Sequence, residues 1–237
     1  MRRFVVASAL IAALPLPALA GELQVFGGAA LSFSSGAANK DTREDLNLYV
    51  EGEFANVYAG LSGDVYNKSV NDVIDLYLGY RNTTAGGLSY DVSYDRSFYP
   101  NDGGNCCGDI NANLSIPLGA KLSTKLDTNY YPESQLSDAH LSLDYALNDK
   151  VTLTGKIGIE TLDGGGTSKE FQLAAAYQLG DKTAVKVHYY KGDDYKGYIG
   201  LDLTWDTTIL GGGSGSASDA GKPGGAATAS SGADGGQ

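Results

Sequence analysis

The chain has 237 residues, including 33 glycines and 16 tyrosines, and a formal net charge of −11 at pH 7. So acidic a chain, with no basic stripe, excludes a nucleic-acid surface. Past its N-terminal segment it holds no apolar run long enough for a spanning helix, so any membrane crossing must use strands.

Arg2 and Arg3 precede an apolar run from Phe4 to Leu16, and Ala18-Leu19-Ala20 supplies the small residues that a signal peptidase reads. The expectation is an export signal over residues 1–20. As a membrane anchor the run falls short of the roughly 20 residues a spanning helix needs.

From Gly21 onward the pattern has period two, the signature of strands whose side chains alternate faces. Gly21 to Ser35 sets Leu23, Val25, Gly27, Ala29, Leu31 and Phe33 on one face. Leu46 to Phe54 and Val57 to Tyr66 form a hairpin, with Leu48, Val50, Leu61 and Val65 opposed to Tyr49, Glu51, Glu53, Tyr58 and Asp64. Val73 to Arg81 and Leu88 to Asp95 repeat the rhythm across the turn 82–86. Ile110 to Ile116 follows, then Ala120 to Tyr131, where Lys121, Ser123, Lys125, Asp127 and Asn129 oppose an apolar face. Ala139 to Leu147, Val151 to Leu162, Phe171 to Leu179, Thr183 to Tyr190 and Tyr198 to Trp205 complete twelve predicted strands. From Gly211 to the end the sequence has no aromatic and almost no aliphatic bulk, which predicts a disordered tail over 211–237.

Short connections alternate with longer, more polar ones, so the two kinds fall at opposite ends of the strands. An even strand number, strands of about ten residues and tight turns on one rim are features of a transmembrane up-and-down antiparallel β-barrel of the bacterial outer membrane. Only a closed barrel lets strands satisfy every backbone group inside lipid. Periodicity alone does not say which face is inside, because a soluble sandwich or lipocalin-like barrel turns its apolar face inward. The apolar face here is Leu, Val, Ala, Gly and Tyr, poor material for a jigsaw core. The other face is regularly charged, and tyrosines gather near strand ends as an interfacial belt requires. These features place lipid outside.

The runs LNLYVEGEFANVYAGLSGDVYN, DLYLGYRNTTAGGLSYDVSYDRSFYP and INANLSIPLGAKLSTKLDTNYYP resemble the proteobacterial outer-membrane porins grouped as the TorF, or Gcw_chp, family, over roughly residues 22–205. The resemblance implies a small outer-membrane barrel with a transport role. Tyr198, Gly200, Leu203 and Trp205 are similar to the polar-x-Gly-x-x-apolar-x-aromatic signal by which such barrels are handed to the barrel-assembly machinery.

With lipid outside, the polar face lines a lumen. It would carry the acids Glu51, Glu53, Asp64, Asp75, Asp91, Asp95, Asp127, Asp144, Glu160, Asp202 and Asp206, the bases Arg81, Lys121, Lys125, Lys156 and Lys186, and the histidines His140 and His188. Rings of charge bias which ions enter a pore, so the acidic excess predicts a weakly cation-preferring channel for small hydrophilic solutes. The alternative is a lumen plugged by paired charges and by Tyr49, Tyr58, Tyr66 and Tyr77. His140 and Ser142, two apart on one strand, match the spacing used by a twelve-stranded outer-membrane phospholipase. Their separation of about 6.5 Å along a strand does not by itself make the nucleophile–base contact that catalysis needs.

Cys106 and Cys107 fall in the predicted loop 100–108. Adjacent cysteines can close a ring disulfide, pair between molecules or hold a soft metal; in an oxidising compartment we read them as oxidised. Two thiols without a nearby histidine fall short of a zinc site, and Asp163, Asp193 and Asp194 lack the spacing of a calcium loop. No cofactor is expected; the expected partners are outer-membrane lipids, the assembly machinery and small solutes.

Overall fold

The computed structural model describes residues 22–36, 42–67, 72–101, 103–193 and 197–211. The expected export signal, residues 212–237 of the expected tail, and Asp194 lie outside the described residues. Twelve strands close into one barrel: β1 (Gln24–Gly36), β2 (Thr42–Phe54), β3 (Val57–Tyr66), β4 (Val73–Thr83), β5 (Ser89–Tyr99), β6 (Gly104–Pro117), β7 (Leu122–Tyr131), β8 (Leu136–Asn148), β9 (Val151–Thr161), β10 (Thr167–Gly180), β11 (Thr183–Gly192) and β12 (Tyr198–Leu210). Each strand pairs antiparallel with the next, and β1 closes on β12 from Val25 opposite Leu210 to Gly36 opposite Tyr198. Closure removes every sheet edge, which an open sheet could not achieve in hydrocarbon.

Burial shows which face meets what. Leu48, Leu76, Leu78, Leu141, Ile157, Leu173 and Ile199 are exposed on the outer wall, Ile199 to 62%. Buried apolar side chains among the described residues reduce to Phe26, Tyr58, Tyr77 and Tyr190, all of which point inward. A soluble core has the opposite distribution. Outward aromatics form two girdles: Phe54, Tyr80, Tyr90, Tyr145, Tyr177 and Trp205 toward the rim that carries the termini, and Phe33, Tyr94, Phe98, Tyr130, Phe171 and Tyr189 toward the other. Aliphatic side chains fill the band between them, as in outer-membrane barrels. Lipid-facing hydroxyls are satisfied on the ladder itself. Thr124 Oγ1 donates to the Ser142 carbonyl at 2.8 Å, and Thr128 Oγ1 to that of Ala112 at 3.0 Å.

The turns at the termini rim are tight. Ala55 and Asn56 join β2 to β3 with φ of 49° and 71°, the left-handed pair of a two-residue hairpin turn. Asp149-Lys150 and Asp181-Lys182 are equally short.

Several strands run further than the amphipathic pattern shows. β2 begins at Thr42 rather than Leu46, β10 at Thr167 rather than Phe171, and β12 continues past Trp205 to Leu210. The cysteines belong to β6 and not to a loop. Here Ser97 of β5 faces both Cys106 and Cys107, because Arg96 pairs with Gly108 and Phe98 with Asn105, a β-bulge. The two cysteines are bonded to each other in a ring disulfide across it. Conversely, β7 starts at Leu122, so Lys121 is corrected from a wall position to an exposed place in the turn before it, its ammonium near the Leu147 carbonyl.

Candidate functional site: the lumen

Strand tilt turns each hydrogen-bonded row into a spiral around the inner wall, so residues far apart in sequence become neighbours. One row runs Arg81, Asp91, Asn113, Asp127, His140, Gly158, Glu170 from β4 to β10. The row beside it runs Lys125, Ser142, Lys156, Gln172, Tyr190, Tyr198 from β7 to β12. Every expected lining residue except Lys121 points inward on such rows.

In the β2–β5 sector the inner wall is thick. Arg81 Nε is 3.0 Å from Glu53 Oε2, its Nη2 pairs with Glu51, and its guanidinium carbon stands 4.1 Å above the Tyr58 ring. Tyr58 donates its hydroxyl to Asp91 at 2.5 Å. The Tyr58 and Tyr77 rings meet edge to face, centroids 6.1 Å apart. Gly60 lies opposite Tyr77 and Gly79 opposite Tyr58, and a Cβ on either glycine would enter the facing ring. The glycines therefore let two aromatic rings lie flat on the wall, the "rescue" arrangement that pins register. Glu51, Tyr58, Tyr77 and Asp91 are each only 4% exposed although they face the lumen.

Toward the rim of longer loops the wall is acidic. Asp64 accepts from Asn47 at 2.9 Å, Asp75 from Ser97 at 2.7 Å, and Asp95 from Asn111 at 2.8 Å. Asp45, Asp64 and Asp75 are electrostatic neighbours, as are Asp75, Asp95 and Asp109. Glu160 stands opposite Asp138, which accepts from Asn129 at 2.7 Å and from the Tyr131 hydroxyl at 3.0 Å.

Across the barrel, His140 lies over Gly158 with Nδ1 3.3 Å from Asp138 and Nε2 against Glu170. His188 lies over Gly200, 3.3 Å from Asp202, which also binds Lys186 at 2.9 Å. Lys125 pairs with Asp127 at 2.8 Å, Asp144 accepts from Thr154, and Asp206 accepts from the Tyr49 hydroxyl at 2.9 Å. Lys156 stands 5.7 Å from the centre of the Tyr190 ring. The hydrolase pair is not formed: Ser142 Oγ donates to the Lys125 carbonyl at 3.5 Å, while both His140 nitrogens face carboxylates.

Sequence reasoning missed Arg43, Asp45, Asp109, Asp138 and Glu170, all of them inward-facing. They fall just outside the predicted strands, where apolar alternation fades, although the backbone ladder continues. Of the four expected assembly positions, Tyr198 and Gly200 face the lumen and Leu203 and Trp205 the lipid.

A closed barrel with an apolar, girdled outer wall and a lumen lined by acidic and basic side chains defines an outer-membrane β-barrel protein. No protein-family model matches the chain, and no curated protein matches it. Its fold is similar to that of KdgM porin (TM-score 0.59, 10% identity, 75% of this chain and 98% of that one) and of NanC porin (0.54, 13%, 80% and 100%). Outer membrane phospholipase A from Escherichia coli superposes with a TM-score of 0.48 at 11% identity, over 76% of this chain and 89% of that one.

Proposed function

We propose that this protein is a porin-type channel for small hydrophilic solutes or ions, with a weak preference for cations. The observation that supports it most directly is Lys186. It points into the barrel from β11, yet its side chain is 45% exposed, so water reaches the inner wall beside β11 and β12. Lys125 and Asp127, at 29% and 24%, mark the same kind of access on β7. Acids dominate the inner wall, and fixed negative charge raises the local concentration of cations. KdgM porin has been seen with oligogalacturonate, a polyanion; the acidic lumen here disfavours such a substrate. On the same reading the chain is a TorF-like protein, exported by its N-terminal signal and inserted by the assembly machinery, with its termini in the periplasm.

The tight cluster around Arg81 favours a second reading, a structural barrel with a plugged lumen. Planar-bilayer recording on refolded protein separates the two. Discrete single-channel steps with a reversal potential favouring cations support the channel, and silence at every voltage below rupture supports the plug. A hydrolase reading is disfavoured by the Ser142 and His140 geometry, and release of fatty acid from phospholipid by refolded wild type would revive it.

A further inference from the structure

The outer wall is apolar along nearly its whole height, and among the described strand residues the charged side chains that point outward from it stand at the longer-loop rim: Glu44, Arg96, Lys169 and Lys191. Arg96 is engaged by Glu133 at 2.7 Å. Lys169 and Lys191 are different. They are exposed on the neighbouring strands β10 and β11, where Phe171 pairs with Lys191 and the Asp193 amide donates to the Lys169 carbonyl at 2.9 Å. This makes the lysines diagonal neighbours across one ladder, about 7–8 Å apart at the backbone. Their flexible stems can bring both ammonium groups to one anion. The nearby Asp193 carboxylate accepts the Lys169 backbone amide at 3.2 Å.

What lies below the lysines gives the anion its chemistry. The Phe171 and Tyr189 rings meet with centroids 5.8 Å apart, at the level of the aromatic girdle. Beneath them lies an open groove of about 350 Å³, lined by the outward Leu173, Ala175, Val187, Tyr189 and Ile199 together with Ala174 and His188 of the same strands. The small Ala175 makes room between larger neighbours. From the rim toward mid-membrane the order is cation, aromatic, apolar channel, which matches the phosphate, ester region and acyl chain of a lipid in the bilayer.

We infer that this β10–β12 wall is a docking site for a phosphorylated lipid, its phosphate on Lys169 and Lys191 and one acyl chain in the groove. The inference needs only that the outer wall meets lipid, and stands apart from whether the lumen conducts.

The test is a titration of the full-length refolded protein in a neutral detergent with short-chain phosphatidic acid, read by native mass spectrometry, with phosphatidylcholine of the same chains and inorganic phosphate as comparisons. Folding of each variant is checked by heat-modifiable gel mobility. At about 1 kcal/mol for each basic residue near a charged lipid surface, close to fivefold apiece, Lys169→Gln with Lys191→Gln should weaken phosphatidic acid binding about 25-fold and each single variant about fivefold. Ala175→Phe, which fills the groove, should weaken the lipid and leave the lysines untouched. Equal binding by wild type and the double variant overturns the inference, as does inorganic phosphate binding as tightly as the lipid, or phosphatidylcholine binding as tightly as phosphatidic acid.

Discussion

Arg81 is the residue whose removal tests the lumen most sharply. Its guanidinium is the cation shared by Glu51, with a side chain 5% exposed, and Glu53, 22% exposed, and Arg81 itself is only 14% exposed. Arg81→Met keeps the stem over Tyr58 but leaves two carboxylates facing each other without a counter-charge. Breaking a buried pair from one side costs about 3 kcal/mol. Removing the second charge as well, in Arg81→Met with Glu51→Gln, should recover much of that loss and give a coupling energy of about 2 kcal/mol. The chain has a single tryptophan, Trp205, on the lipid-facing wall. Its emission therefore reports urea-induced unfolding from vesicles. In a bilayer, Arg81→Met should raise single-channel conductance and shift selectivity further toward cations, because it removes positive charge and thins the cluster. An unchanged urea midpoint, or a coupling energy within about 0.5 kcal/mol of zero, would refute the reading of this cluster as a locked ion-pair network.

Gly79→Ala puts a Cβ into the Tyr58 ring and must displace it from Asp91, so a loss of about 1–3 kcal/mol is expected in the same unfolding assay. Leu141→Lys puts a charge in the lipid-facing band and should cost about 2–4 kcal/mol, whereas Ser142→Asp, one residue on and facing the lumen between Lys125 and Lys156, should cost far less; equal losses would mean that the faces are misassigned. Ala55→Gly relieves a left-handed alanine and should stabilise the barrel by about 1 kcal/mol without altering conductance. Glu133, in the turn between β7 and β8, accepts the Gly108 amide at 3.2 Å and an Arg96 hydrogen bond, which together hold its carboxyl below the usual value of 4.5. A depressed carboxyl contributes its stabilisation above the unfolded value and loses it as pH falls through the folded one. The Gly108 amide shift in nuclear magnetic resonance should therefore titrate below pH 4.5 and stop titrating in Glu133→Gln; a midpoint at or above 4.5 would contradict the bond.

The alternation of apolar and polar side chains was enough to read an all-β chain of twelve strands, its tight turns and the inward direction of residues such as Glu51, Asp127 and His140. That signal is local: side-chain direction repeats every two residues whatever the strand packs against. It also weakened where outward positions turned polar, which is why Asp45, Asp138 and Glu170 looked like loop residues, although their backbones were still paired in the ladder. The cysteine pair was visible in the sequence, but its place in a bulge opposite Ser97 was not, since a bulge depends on the partner strand's register. Which acids meet which bases was decided only by closure. Arg81 of β4 reaches across β3 to Glu51 and Glu53 of β2, and His140 of β8 reaches over Gly158 of β9 to Glu170 of β10, contacts set by barrel geometry rather than by any spacing along the chain. The same holds for the paired lysines above their groove, because strand registry and not sequence brings Lys169 next to Lys191.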